Sequence, residues 1–316
     1  MIDVRHTGRW LGIVTVVAIL VSCGSSAWAV KQTGAKTFPS PKAAAEALLG
    51  AVTREDAPSA LAILGPEGKE IVFSGDPTAD SGARKMFVEA AQQQTVLMPM
   101  SKTVVFLEVG PDAWPFPIPI VKGAQGWFFD TAAGKEELLS RRIGRNELRV
   151  IALMRGFVTA ELEYARSSAG GSAAGPYAQK LMSSDGARDG LYWPAKDGEP
   201  QSPLGPFAAA AAREGYEPPK TAGGGPQPFH GYFFKILTAQ GEHAPGGARS
   251  YVVDGKMTGG FALVAWPAEY RNSGIMTFVV NQNGIVFERD LGPKTAELAS
   301  SMEKYDPDTS WKPSKS

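Results

Sequence analysis

One cysteine, Cys23, serves a chain of 316 residues. An intramolecular disulfide, a thiolate metal cluster and a CxxC redox centre each need at least two thiols, so all three are excluded. Histidine is almost as scarce. Of the three present, His230 and His243 are the two beyond the N-terminal segment, and neither has metal-ligand spacing. Glu242, directly beside His243, is poorly placed to complete a zinc site, so no metal is expected, and no cofactor either. Charge of one sign is also missing, with 32 basic residues against 32 acidic ones. Nothing in that balance favours a nucleic acid as partner. Nor is there a long hydrophobic run. The uncharged stretch Trp10 to Val21 covers roughly 18 Å as a helix, against the ~30 Å of a bilayer core. Finally, Ser172 lies in a Gly-Ala segment with no strand-turn-helix elbow around it, which leaves a Ser-His-Asp triad unsupported.

What the N-terminus does contain is Arg5 and Arg9, then that short apolar run, then small residues. This is the pattern of an export signal over residues 1–29, placing the working protein in the periplasm of a bacterial envelope. Two processing routes fit. Ala27-Trp28-Ala29 suits cleavage to a soluble chain beginning at Val30, whereas Leu20-Val21-Ser22-Cys23 resembles a lipobox that would make Cys23 a lipid anchor, the sole link to a membrane. Without disulfides, a mature chain in an oxidising compartment must hold together by burying a core, and it is long enough to do so. Glycine (36) and proline (24) make up about a fifth of the residues, above the usual ~12%, so long irregular connections are expected.

Ser40-Pro41 predicts a helix to about Val52, Asp56 caps a second through Leu61 and Leu64, and a third is expected from Ser81 to Gln93. β-formers then dominate in Thr103 to Val109, Trp114 to Lys122 and Gly126 to Asp130, giving an antiparallel meander. Pro115, Pro117 and Pro119 remove alternate ladder donors and predict an edge strand or an extended arm for the middle segment. A helix from about Lys135 to Arg166 is expected to break near Gly144, with Asn146 capping its second half and Arg155, Thr159 and Glu163 on its wet side. Ser167 to Gly175 reads as a linker, Tyr177 to Leu181 as a short helix, Pro206 to Arg213 as another, and Glu217 to Pro226 as a second connection. Strands follow over Gly231 to Leu237, Gly260 to Trp266, Ile275 to Val280 and Ile285 to Glu288, the last two joined at Asn283-Gly284 by an expected type I′ turn. The whole is expected to be α+β, with helices packed on an antiparallel meander over residues 30–185 and a mainly antiparallel β-rich lobe over residues 186–316. Both connections also fit loops within one continuous unit.

The blocks Gly126-Trp127-Phe128-Phe129-Asp130, Arg141-Arg142-Ile143-Gly144-Arg145-Asn146-Glu147-Leu148, Gly190-Leu191-Tyr192-Trp193-Pro194 and Phe261-Ala262-Leu263-Val264-Ala265-Trp266-Pro267 occur in an order that resembles the bacterial domain-of-unknown-function family 2950. That resemblance spans nearly the whole mature chain and implies an exported envelope protein without an established activity. The helix-helix-strand order is similar to cone-shaped folds of the ketosteroid-isomerase type, which implies small apolar ligands. The segment from Gly231 to Gly292 looks like the sheet of pilin-type heads, but the pilin glutamate and prepilin cleavage context are missing.

Arg141, Arg142 and Arg145, with Asn146 and Glu147, form the densest polar block, suited either to a carboxylate or phosphate ligand or to internal pairing with Glu136, Glu137 and Glu147. Trp193 and Trp266 are further ligand candidates, as members of a Pro- and Gly-flanked set with Trp114, Phe116, Tyr192, Phe229 and Tyr232 that suits either an extended-chain groove or core packing. A base-and-donor pair of Asp130 and Tyr164 would suit an enzyme, but nothing in their spacing demands it, and a capping Asp and a core Tyr are the commoner roles of such residues. With no nucleophile constellation in view, the leading expectation is a non-catalytic binding protein for an envelope protein or polymer. The alternative is a small-molecule-binding or hydrolytic enzyme with a ketosteroid-isomerase-like N-terminal lobe.

Overall fold

The structure, a computed structural model, describes residues 34–168, 175–195, 198–217 and 227–315. The export segment with Cys23, Ser172 with most of its linker, and most of the Glu217 to Pro226 connection lie outside the described residues.

Three helices begin with the same chemistry. Ser40 Oγ accepts the Ala43 N–H at 3.1 Å ahead of α1 (Pro41–Thr53), and Asp56 Oδ1 accepts the Ser59 N–H at 3.0 Å ahead of α2 (Ala57–Leu64). After a single turn, α3 (Lys69–Val72), Asp76 Oδ1 accepts the Ala79 N–H at 3.0 Å ahead of α4 (Pro77–Gln93). Each cap satisfies a donor that the first helical turn leaves open, and each helix carries proline in that turn. α4 starts four residues before the expected Ser81, because Asp76 caps it ahead of Pro77.

β1 (Thr95–Pro99), β2 (Val104–Val109), β3 (Trp114–Gly123) and β4 (Gly126–Phe129) form an antiparallel meander in chain order. Leu107, Val109, Phe116, Ile118, Ile120 and Phe129 turn one face of it towards α1 and α2, where they join Ala44, Ala45, Leu48 and Ile63 in a core. β3 is interior to the sheet, not at its edge. The register explains how its prolines are tolerated. Lys122 N–H donates to Thr103, just before β2, whereas the Pro119 carbonyl accepts from Asp130 on the opposite side. Pro119 therefore turns away from β2, and both Pro117 and Pro119 fall at the register shift between β2 and β3, where residues 117–119 have no β2 partner and no ladder donor is required of them.

Next comes α5 (Thr131–Ser168), 38 residues and about 57 Å long. No break occurs at Gly144. Asn146, the expected cap, is instead a buried mid-helix residue whose Nδ2 donates to the Ser273 carbonyl at 2.9 Å. The helix packs on β3 near its start and on β10 and β11 further along. Arg155, Thr159 and Glu163 are exposed on it as expected.

Tyr177 to Leu181 forms no helix; this segment crosses the core in extended bridges, Tyr177 to Met257 and Met182 to Tyr192. α6 (Gly205–Arg213) is as expected, and Phe207 on it abuts Gly156 of α5. β5 (Tyr232–Leu237), β6 (Ala239–Gln240), β7 (Arg249–Ser250), β8 (Val252–Val253), β9 (Lys256–Met257), β10 (Ala262–Pro267), β11 (Met276–Asn281) and β12 (Phe287–Asp290) follow, then α7 (Thr295–Ser300), β13 (Lys304–Tyr305) and β14 (Lys312–Pro313). The main sheet is antiparallel with order β14-β12-β11-β10-β5. Every residue of β10 is buried, with both α5 and α7 packed against the strand, which accounts for its unbroken apolar run. The turn at Asn283-Gly284 is not type I′. Of its residues only Gly284 has positive φ, at 75°, and its N–H returns to the Asn281 carbonyl, so the loop is a longer one built on an ordinary turn.

The fold is therefore α+β, with most helices in the first half and most strands in the second. Two hydrophobic clusters carry it, one under the meander and one between α5 and the main sheet.

Candidate functional site: the arginine side of the long helix

Spacing on α5 decides which of the clustered arginines turn inward. Arg142 is drawn in: Nη1 donates to the Glu70 carbonyl at 2.7 Å and to Asn272 Oδ1 at 2.5 Å, and Nη2 donates to the Ile71 carbonyl at 2.7 Å. Asn272 in turn donates to the Phe73 carbonyl at 2.8 Å and to Glu269 Oε2 at 2.7 Å. Burial holds the Arg142 guanidinium below its ordinary pKa, partly offset by Asp80. Arg142 is thus a tie between α3, α5 and the 268–275 loop, with its donors spent on two backbone carbonyls and the Asn272 side chain.

The neighbouring polar residues serve the same junction. Glu147 Oε1 accepts the Ile275 and Met276 N–H groups at 2.9 and 3.0 Å and lies 3.4 Å from the Tyr232 hydroxyl, whose pKa is raised by burial and by that carboxylate. Asp76, besides capping α4, accepts from the Tyr216 hydroxyl at 2.9 Å and from the Gly231 N–H at 2.8 Å. His230, at φ 51°, sits against the Phe229 and Tyr216 rings. Its Nδ1 lies 3.2 Å from Arg149 Nη1, and because a guanidinium only donates, Nδ1 accepts and the proton belongs on Nε2. Burial, the larger cause, together with Arg149, lowers the pKa of this ring.

Arg141, Arg145 and Arg149 fall four residues apart on α5, and their partners grade along the row. Arg141 Nε pairs with Glu137 at 2.6 Å and the guanidinium stacks over the Trp114 ring at 5.6 Å. Arg149 reaches His230 and, at 3.9 Å, Glu214. Arg145, between them, has neither a hydrogen-bond nor an ion-pair partner among the described residues. Partial burial, then Arg149 and Arg141, pull its pKa down, so the charge sits in a field of its own sign. A row of like charges with an unmatched centre stabilises an incoming carboxylate or phosphate.

The other expected residues lie elsewhere. Trp193 lies under Arg188, its ring centroid 5.5 Å from that guanidinium, and Trp266 packs on Phe233 at 5.8 Å within the core, so the ring that meets the arginine row is Trp114. Phe116 is core beneath the meander, Tyr232 is core beneath the main sheet, and Phe229 packs on Tyr216. Of these aromatics Phe116, Tyr232 and Trp266 are core residues, whereas Trp114 and Trp193 each lie against an arginine, so the set does not line one groove. Asp130 directly precedes α5 and Tyr164 lies near its far end, a separation of about 50 Å along the axis, so the two do not face each other. His243 pairs with Asp306 at 3.1 Å, and no cluster of metal-ligating side chains occurs among the described residues.

Two features went unread in the sequence. Asp76 had the signal of an Asp-Pro cap. Glu161, completely buried on α5, stands at helical spacing between Phe157 and Ala165, both core residues, and that spacing was the available sign. Glu161 Oε2 accepts the Ala178 N–H at 2.8 Å, Oε1 has no partner, and burial pushes the carboxyl up to about 8. A surface cleft of about 300 Å³ lies between α4 and the β2–β3 turn, touching Met86, Glu89 and Trp114.

No helix among the described residues is long and apolar enough to cross a membrane. No curated protein and no solved structure matches the chain. A family model described as a protein of unknown function, DUF2950, matches residues 35–314, and the chain accordingly belongs to the DUF2950 family.

Proposed function

We propose that this is an exported, non-catalytic binding protein of the bacterial envelope, whose ligand presents carboxylate or phosphate groups to the arginine row of α5. The observation that carries the reading is Arg145: an exposed guanidinium flanked by Arg141 and Arg149 one turn away on either side and lacking an anionic partner among the described residues. Like charges one turn apart on a helix repel one another, and a bound carboxylate or phosphate relieves that repulsion. Export rests on the basic, apolar and small-residue order of positions 1–29. The binding reading is favoured over an enzymatic one because the polar groups nearest the row are committed to holding the junction together. Arg142, Asn146, Glu147 and Asp76 all bond to backbone or to each other's loops.

The test is calorimetric titration of the protein with a soluble poly-glutamate and with a polyphosphate of similar charge. Binding that weakens steeply with salt, and at least tenfold on Arg145→Ala, is the expected result, since a charge-assisted contact is worth about 1.5–3 kcal/mol. Arg145→Ala should leave the melting temperature unchanged or higher. Equal binding by the variant, or no binding of either polyanion by a folded protein, would overturn the proposal.

A further inference from the structure

The exposed side of α5 has a regular pattern of its own. Arg141, Arg145, Leu148, Ala152, Arg155, Thr159, Leu162 and Arg166 follow one another at alternating spacings of four and three residues, and all are exposed or half-exposed. Alternation of three and four is the seam spacing of a helix that receives a second helix along its length. Here Leu148 is 62% exposed, with Ala152 one turn on, small enough to let another backbone approach.

The charges around this apolar centre are of one sign. Arg145 and Arg155, about 15 Å apart along the axis, flank Leu148 and Ala152, and neither guanidinium has an ion-pair partner among the described residues. Between Glu137 and Glu163 the acidic residues of α5 are Glu147 and Glu161, and both are turned inward, one onto the β11 backbone and one into the core. The face therefore combines an apolar anchor with unmatched cations at both ends.

Building on the anion-binding role of the arginine row, we infer that this seam docks an acidic amphipathic helix of a partner protein. Such a helix would pack an apolar residue against Leu148 and Ala152 and set carboxylates beside Arg145 and Arg155. Charge complementarity selects the acidic partner, and the central leucine selects a folded protein segment over a polymer. A phosphate or uronate chain has no use for an exposed leucine, whereas a helix pair buries it.

The test places benzoylphenylalanine in place of Leu148 in the full chain, in the cells that make it, with the same group in place of Ile285, an exposed residue of the β11–β12 loop, as control. Irradiation followed by sequencing of the crosslinked peptide should return a protein segment with carboxylates spaced three or four apart. The adduct should form at position 148 but not at 285, and fall at least tenfold with Arg145→Glu plus Arg155→Glu. A purified partner should lose at least tenfold in affinity to Leu148→Asp, with the variant's circular dichroism unchanged. Adducts confined to a non-protein polymer, to a second copy of the chain or to the chain's own residues would each overturn the inference, as would adducts insensitive to charge reversal or no adduct at all. If Arg145→Ala weakens polyanion binding but position 148 captures no acidic protein segment, the docking inference fails while the anion-binding role stands.

Discussion

Glu161 shows what burial does to one residue. Its carboxyl lies in the core with one oxygen on the Ala178 N–H and the other unpartnered, so the charged form is opposed by desolvation with little to offset it. The ordinary value of 4.5 rises to about 8 in the folded chain. A folded-state pKa above the unfolded one means that stability is fully present below pH 4.5 and is lost as pH rises towards 8. Glu161→Gln keeps the acceptor for Ala178 and removes the titration. Urea unfolding from pH 4 to 9 should therefore show wild type and variant nearly equal at the acid end, with the variant more stable by something on the order of 4 kcal/mol at the alkaline end. A pH-independent difference would mean that the Glu161 carboxyl has the same pKa folded and unfolded. Gly231 makes the opposite case, where the backbone sets the constraint. Its φ is 77°, its N–H is bonded to Asp76, and a Cβ there would lie 2.7 Å from Asn146 Nδ2. Gly231→Ala should lower the unfolding free energy by about 2–4 kcal/mol, read from the same urea midpoints.

At the scale of elements, helices were read from the sequence best where the signal is local. Ser40-Pro41 and Asp56 fix their helices through a side chain and a donor three residues apart, and both helices stand where expected. The break expected at Gly144 fails for an equally physical reason. Glycine costs a helix about 1 kcal/mol relative to alanine, less than the tertiary contacts that α5 makes on either side of it, so packing overrides propensity. A Cβ at Gly144 meets nothing within 4 Å, hence Gly144→Ala should raise stability by up to ~1 kcal/mol, measurable as a small rise in denaturation midpoint. The edge position or arm expected for β3 fails because where the prolines fall in the ladder, not their count, decides which donors are missed, and that depends on a register that only the neighbours set. Within the arginine block the residue types were legible, but their division of labour was not. Arg142 spends its donors on carbonyls of residues 70 and 71 and on Asn272, contacts 71 to 130 residues distant in sequence that no local pattern encodes.

At the scale of the whole molecule, α5 and the polar junction beside it tie the two hydrophobic clusters together. Asp76 reaches from the start of α4 to the start of β5, Arg142 from α3 to the loop after β10, and Glu147 from α5 to the first residues of β11. Each tie runs from the helical first half to the sheet of the second half. Unfolding of one cluster would expose the charges of all three ties at once, so the halves should unfold as one cooperative unit. Asp76→Ala removes a helix cap and strands the Gly231 N–H and the Tyr216 hydroxyl. Its cost should be about 3 kcal/mol, with the loss felt in both halves. Two probes decide this: amide exchange in α1, which reports the cluster under the meander, and amide exchange in β10, which reports the cluster under the main sheet. Faster exchange in both, by similar factors, is the expected outcome. Acceleration in α1 alone would mean that the junction is a surface seam between two independently stable halves, and that α5 belongs energetically to the main sheet.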